Sequence, residues 1–509
     1  MNAVSQPAIS FSGLNQRPLV PPRVESTIYA LSLLASIAVW FVSLRAPLWL
    51  DETFSFWQIK DGVRQILSRR GSLSPAYAYI LWLFTRFTGT SEIGLRVLSI
   101  LAMLSAVYLL YCASRELFSR DVALITAVLF CAHPLVIFTS IDARPYACAA
   151  LAINSAIYLL VRLRHSNSIW LAAAFGVATA AIAYFQMVFG VIFPVLAVCL
   201  FLIIARDIKA GARQFGIAFV TFTLASLPNL PDLLHIFHAR QMLVFDKSAP
   251  KLADLAWTLA PGDLVFILLG VALIAGATRK IDLDTPIDRW TLLLCASSCL
   301  VPIFILYGVT SGTATNVFVE RYRLVAVPGI ALAWGWILSR IDSRLIRVLF
   351  CVAVVSSSAY RYLSSPVSGH HGYTWKYALQ LAEQNASVDH APVLICSDFP
   401  NADYVPMPAP ADVKASGLFT PLSYYRLSVP VVGLPRALNE EAMRVGSDFV
   451  LQARLRRQRF LALAWGPSYP TMLWLTNISA DAYDVRTLGE QDGVVVLEFT
   501  PHNNDAGIR

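Results

Sequence analysis

The chain has 509 residues, of which 57% are hydrophobic and only 14% charged, and its mean hydropathy is +0.59. A soluble chain of this length carries roughly 25% charged residues to keep its surface wet, so the balance excludes a soluble globular protein, a disordered chain and a disulfide-stapled secreted one. A net charge of +8 is too thinly spread for a nucleic-acid binder and fits basic residues that meet lipid phosphates and set topology.

Residues 1–26 are polar and Pro-bearing and read as a cytoplasmic tail. The apolar run that follows lacks a small-residue cleavage site, which predicts a retained helix instead of a removed signal peptide. Runs long enough to cross hydrocarbon at helical rise fall near 27–44, 96–114, 121–140, 146–161, 168–184, 187–205, 214–230, 255–277, 290–308, 323–339 and 343–361. This predicts a mainly α, polytopic protein with about eleven transmembrane helices across residues 27–362. Cys112, Cys131, Cys148, Cys199, Cys295, Cys299 and Cys351 lie in these runs and only Cys396 outside them, so neither a structural disulfide nor a zinc cluster is indicated.

The shorter apolar stretch Ser74–Phe87 contains Arg86 and reads as an interfacial segment within a first outer loop of juxtamembrane helices, about 46–95. With the N-terminus inside, the tight basic turns at Arg115 and Arg120, Arg162 and Arg164, and Arg340, Arg344 and Arg347 all fall on the cytoplasmic side. Beyond residue 363 the composition becomes nearly soluble. Strand-length runs (Val393–Cys396, Phe460–Trp465, Val494–Phe499) alternate with helix-like segments (Tyr373–Gln384, Leu438–Arg454), which predicts a small extracytoplasmic α/β domain over 363–509. No internal repeat of helices is evident, which argues against a transporter built from duplicated halves.

Three polar groups share the predicted outer face. Leu48-Trp49-Leu50-Asp51-Glu52-Thr53 puts two adjacent carboxylates among apolar residues. They read plainly as helix-capping acids, and functionally as a general base at the membrane surface. Asp142-Ala143-Arg144-Pro145-Tyr146 pairs an acid with an arginine, either a self-satisfied interfacial pair or a phosphate-binding fork. Glu320-Arg321-Tyr322-Arg323 opens a later helix, where its arginines are either snorkelling anchors or further phosphate contacts.

Taken together, with Asp51-Glu52, Asp142-x-Arg144-x-Tyr146 and Arg321-Tyr322 in one chain, the sequence resembles the GT-C superfamily of integral-membrane glycosyltransferases. It resembles most its family 39 branch of protein mannosyltransferases, aminoarabinose transferases and lipopolysaccharide galacturonosyltransferases. The similarity runs from about Trp49 to Arg164 and recurs around Phe318–Pro328. The resemblance implies a GT-C fold and inverting transfer of a sugar from a polyprenyl-phosphate donor to an acceptor hydroxyl on an envelope glycan, a lipid A-type lipid or a protein. The reaction would take place on the outer face of the cytoplasmic (inner) membrane, without nucleic acid. It also implies a catalytic group of Asp51, Glu52 and Asp142, in which Asp51 is by position the catalytic carboxylate, Glu52 is its neighbour, and Asp142 orients Arg144, helps hold the acceptor or acts with Asp51. Arg144, Arg321, Tyr146 and Tyr322 would bind the lipid phosphate.

The chain departs from the family in two places. Where many members carry a His or Lys before a Pro-Pro element it has Leu73-Ser74-Pro75, so the phosphate contact is expected instead from Lys60, Arg64, Arg69 or Arg70. Tyr184-Phe185-Gln186 lacks a second histidine common in the family. A divalent metal is therefore not indicated, and His235 and His238, at i,i+3 spacing, read as surface histidines before they read as metal ligands. The competing classes are a flippase or transporter of a lipid-linked sugar and a membrane glycan ligase or polymerase. A transporter places ionisable groups at the bilayer midplane, whereas here they gather at helix ends.

Overall fold

The computed structural model describes residues 21–68, 74–205, 208–239, 250–259, 270–276, 288–313, 315–364 and 374–502. Among these, eight helices are long and apolar enough to cross a membrane: Arg23–Ser43, Glu92–Leu117, Tyr146–Leu163, Met187–Ile204, Gly211–Leu234, Arg289–Gly312, Glu320–Ser339 and Arg344–Leu363. Two further predicted crossings take other forms. The run 121–140 is a pair of helices, Arg120–Ala132 and Pro134–Ser140, bent by 69°. Proline at the start of the second lacks the amide to continue the ladder, and the His133 Nδ1 accepts from the Leu135 amide to cap the new start. The run 168–184 is the shorter apolar helix Ile169–Phe185. The predicted run 255–277 is described only at 255–259 and 270–276.

The first elements position the site, and in chain order they are α1 (Pro22–Trp40), α2 (Leu50–Ile59), α3 (Val63–Ser68), α4 (Pro75–Thr88), α5 (Glu92–Leu117), α6 (Arg120–Ala132), α7 (Pro134–Ser140) and α8 (Tyr146–Leu163). α4 is the predicted interfacial segment. At 14 residues it is too short to span and packs beside α2, α5 and helix Ile169–Phe185. Inside the bundle, small residues let helices approach closely. A Cβ at Gly176 would meet the Ala218 carbonyl at 2.4 Å, and one at Gly329 would meet the Cys299 amide nitrogen at 2.4 Å.

The bundle has two chemically distinct ends. At one, Glu25 near the start of α1 is ion-paired with Arg347 (2.7 Å) and Arg344 (3.4 Å), and Ser26 donates to Asp121 at the start of α6 (2.9 Å). At the other lie α2, the bend between α7 and α8, Arg321 and the C-terminal domain. That domain holds a five-stranded sheet of order β2-β1-β3-β5-β4, with β1 (Val393–Cys396) parallel to β2 (Val431–Leu434) and β3 (Phe460–Trp465). β4 (Tyr483–Gln491) and β5 (Val494–Pro501) form an antiparallel hairpin, closed by Asp492 and Gly493, both at positive φ as a two-residue primed turn requires. Helix Lys376–Ala386 covers one face, and helices Glu440–Leu455 and Tyr469–Ser479 cover the other. The central strands are therefore buried on both sides, so β1 and β3 read as unbroken apolar runs. The sequence reading missed β2, which contains Gly433, and β4, whose side chains are mostly exposed and polar.

Four hydrogen bonds and an ion pair seat the domain on the bundle. Tyr425 accepts from the Leu48 amide (2.7 Å), Thr53 and Thr420 share a hydroxyl bond (2.9 Å), and Trp57 Nε1 donates to the Ala415 carbonyl (2.8 Å). Tyr424 donates to Thr90 (3.1 Å), and Lys376 pairs with Glu92 (3.0 Å).

Candidate active site

Asp51 stands in the first turn of α2, where the helix dipole favours a negative group. The cap position itself belongs to Trp49, so Asp51 is not the capping residue that its place in the sequence suggested. Its carboxylate receives Arg321 Nη1 at 3.0 Å and lies 3.8 Å from Arg144 Nη2. Arg144 Nη1 also donates to the Asp51 carbonyl at 3.3 Å and reaches Ser55 Oγ at 3.5 Å. Two guanidinium groups from distant parts of the chain thus bracket one carboxylate. All three side chains keep contact with the exterior, at 17% (Asp51), 11% (Arg144) and 22% (Arg321) exposure. The buried Nε atoms of both arginines have no hydrogen-bond partner, which leaves donor capacity in the cluster.

The two predicted tyrosines join this cluster. The rings of Tyr146 and Tyr322 lie 6.5 Å apart, and the Arg321 guanidinium sits over Tyr322 at 5.7 Å. Arg323, by contrast, donates to Thr258 (2.8 Å) and packs over Phe318, outside the cluster.

Glu52 follows Asp51 in sequence but is turned about 100° round the helix, into the protein. It is fully buried, and both oxygens are engaged. Oε1 accepts from Arg96 Nε (2.8 Å) and the Ala143 amide (2.9 Å); Oε2 accepts from Arg96 Nη2 (2.5 Å) and the Trp49 amide (3.3 Å). Arg96 is itself fully buried and donates to the carbonyls of Ser43, Leu44, Ala46 and Pro47. The pair therefore ties three segments together: the turn entering α2, the α2 N-terminus and the loop that carries Arg144. Both Glu52 oxygens are thus engaged within the protein, whereas the neighbouring Asp51 carboxylate is partly accessible. The sequence reading noted Arg96 only as one residue in a matching run. Its signal was an arginine at the head of a long apolar helix, costly unless matched by a buried acid.

Asp142 is likewise sealed from the exterior. Its Oδ1 accepts from Trp49 Nε1 at 3.0 Å, Oδ2 has no partner, and its carbonyl accepts from Ser99 (2.6 Å) and the Arg144 amide (2.7 Å). Burial, reinforced by the nearby Glu52 carboxylate, pushes its pKa well above the ordinary carboxylate range. The Asp142 side chain thus holds Trp49, and its backbone holds the Arg144 loop.

Lys60 is not part of this cluster. It pairs with Asp61 (3.0 Å) at the far end of α2. Arg69 lies outside the described residues, as do the side chains of His235 and His238 on helix Leu230–Ala239. Among the described residues, no three His, Cys, Asp or Glu side chains stand together in a way that could hold a metal ion.

Residues 72–235 match the family model described as dolichyl-phosphate-mannose-protein mannosyltransferase. In fold, the chain is similar to ArnT from Cupriavidus metallidurans bound to undecaprenyl phosphate, with a TM-score of 0.56 and 14% identity over 95% of this chain and 100% of that one. ArnT in the apo state gives a TM-score of 0.41 at 13% identity, over 92% and 97% of the two chains. An oligosaccharyltransferase from Archaeoglobus fulgidus, tethered with an acceptor peptide, gives 0.46 at 12% identity over 95% and 75%. No curated protein matches the chain in sequence. The family match thus covers residues 72–235, which include the Asp142-x-Arg144-x-Tyr146 motif, and the likeness to ArnT, a similarity of fold, extends over nearly the whole chain.

Proposed function

We propose that the protein is a glycosyltransferase that moves a sugar, with inversion, from a polyprenyl phosphate to an acceptor hydroxyl. The observation that carries this reading is the single carboxylate of Asp51 held between Arg144 and Arg321 at the accessible end of the bundle. The ArnT structure similar in fold was solved with undecaprenyl phosphate bound, which supports a polyprenyl phosphate as the donor's lipid part.

In the reaction, the acceptor oxygen attacks the anomeric carbon and its proton passes to the Asp51 carboxylate. The bond from the anomeric carbon to the phosphate oxygen breaks, and its electron pair leaves on the polyprenyl phosphate. Arg144 and Arg321 are the cations that meet this growing charge, and they stabilise the transition state more than the ground state. Before the donor binds they neutralise Asp51. A phosphate drawing them toward itself would release the carboxylate to act as a base. Tyr146 and Tyr322 wall the arginines, and the Glu52–Arg96 pair fixes their spacing from Asp51. By the basic-turn argument, this end of the bundle is the outer face of the cytoplasmic membrane.

The test follows release of the free lipid phosphate when purified protein meets polyprenyl-phosphate sugars and a panel of hydroxyl acceptors. Arg144→Gln and Arg321→Gln should each slow release about 10²-fold or more, the cost typical of losing one charge-stabilising donor. Turnover that is unchanged in both variants would remove the arginines from the leaving-group role.

A further inference from the structure

The cavity beside Lys60 is separate from the Asp51 cluster. It encloses about 450 Å³ between α2 (Phe56, Ile59, Lys60), α4 (Trp82, Thr85, Arg86), Asp61, Thr90 and the C-terminal domain (Lys414, Leu422, Ser423, Arg426, Leu427). Phe56 and Lys60 lie on the side of α2 turned away from Asp51, and Lys60 is nine residues further along, a rise of about 13 Å.

Four cations line this cavity against one carboxylate, and that carboxylate, Asp61, is held by Lys60 at 3.0 Å. Lys414 is pinned by donating to the carbonyls of Leu427 and Val429, both at 2.7 Å, so its charge is fixed in place. The Arg86 guanidinium lies over Trp82 at 4.7 Å. Among the described residues neither Arg86 nor Arg426 has a carboxylate partner. The cavity is therefore electropositive and pre-formed, and within the size range of small-ligand sites.

Its level in the fold identifies the ligand's source. Thr90 lies two residues before the candidate span Glu92–Leu117, so the cavity is level with the first turn of that helix. On α4, next to Trp82 and Arg86, Leu83 and Phe87 are 52% and 83% exposed. Apolar side chains bared beside a tryptophan and an arginine at this depth suit the boundary between acyl chains and headgroups.

We infer that this cavity is a binding site for the phosphate-bearing headgroup of an anionic membrane lipid, which joins the C-terminal domain to α2 and α4. The lipid's acyl chains would lie along Leu83 and Phe87, while its phosphate meets Arg86 and Arg426, with Lys60 and Lys414 behind them. Basic pockets at the membrane surface recognise anionic lipids by this electrostatic means.

The test is retention of lipid by the full-length protein, read by native mass spectrometry after exchange into vesicles of phosphatidylcholine with or without phosphatidylglycerol. The wild type should retain phosphatidylglycerol preferentially. The double variant Arg86→Gln/Arg426→Gln should weaken that preference roughly 30-fold, the effect of two surface cations. Arg86→Lys/Arg426→Lys should keep most of it, which separates loss of charge from loss of fold. Asp51→Asn should retain lipid like the wild type, so the inference stands or falls separately from the transfer reaction. Equal retention of both lipids, or a preference untouched by the double glutamine variant, would overturn it. So would full displacement by millimolar glycerol phosphate, because the site would then take a soluble anion.

Discussion

Asp51 and Glu52 are neighbours in sequence with opposite environments, and variants should separate them. Asp51→Asn should remove transfer by about 10²- to 10⁴-fold while leaving thermal stability in detergent near wild type, because the carboxylate is partly accessible and its arginines are not buried with it. Glu52→Gln leaves Arg96 charged and uncompensated in a fully buried position. It should cost on the order of 3–5 kcal/mol of stability, visible as a lowered unfolding midpoint before any assay is run. Asp142→Asn is the third case. Asparagine keeps a side-chain oxygen that can accept from Trp49, and activity should stay within about tenfold of wild type. A loss as deep as that of Asp51→Asn would instead make Asp142 a working base. Charge type and order made Asp51, Arg144 and Arg321 legible in the sequence. Which of two adjacent acids faces inward was not, since it depends on Arg96, far along the chain and on another helix.

At the scale of elements, long uniform patterns were readable and interrupted ones were not. The apolar runs gave the spanning helices within a few residues, and the alternation of short apolar runs with amphipathic stretches gave the α/β domain. Strand β2 and the segment Asp398–Tyr425 eluded the reading because tertiary contacts define them. Thr420 meets Thr53 and Phe56 packs edge-on to Tyr424, neither of which a local pattern contains. Just after β1, Asp398 accepts from Trp375 Nε1 at 2.6 Å, its other oxygen has no partner, and burial pushes its pKa up to about 7. The folded state therefore holds an extra proton between the ordinary carboxylate range and about pH 7. Stability contributed in this way is present at low pH and is lost as pH rises through that window. Asp398→Asn should gain on the wild type as pH rises from 5 to 8, by on the order of a few kcal/mol at the top. Parallel unfolding curves for the two proteins across that range would contradict the assignment.

Across the whole molecule, the two ends of the bundle divide the labour. One end gathers Glu25, Arg344 and Arg347 into an ion-paired knot; the other carries the Asp51 cluster and, over it, a domain whose docking residues are drawn from the first outer loop. On the proposed topology, which rests on the positive-inside argument, the first end faces the cytoplasm. A single cysteine at Arg120 should then react with a membrane-impermeant reagent only from the cytoplasmic side, and one at Arg426 only from the outside; the reverse pattern would invert the proposed topology. Composition made this division visible early, since so few charged residues had to be placed. The lipid-facing cavity could not be anticipated, because its walls come from residues more than 300 positions apart.

The most direct test of the account is single-turnover cleavage of a polyprenyl-phosphate sugar by wild type and Asp51→Asn, with release of the lipid phosphate as the readout. Donor cleavage that requires an acceptor hydroxyl, yields the inverted anomer and is lost in Asp51→Asn is the predicted result. Equal release by both proteins, or movement of the intact lipid-linked sugar across vesicles with no cleavage at all, would contradict it.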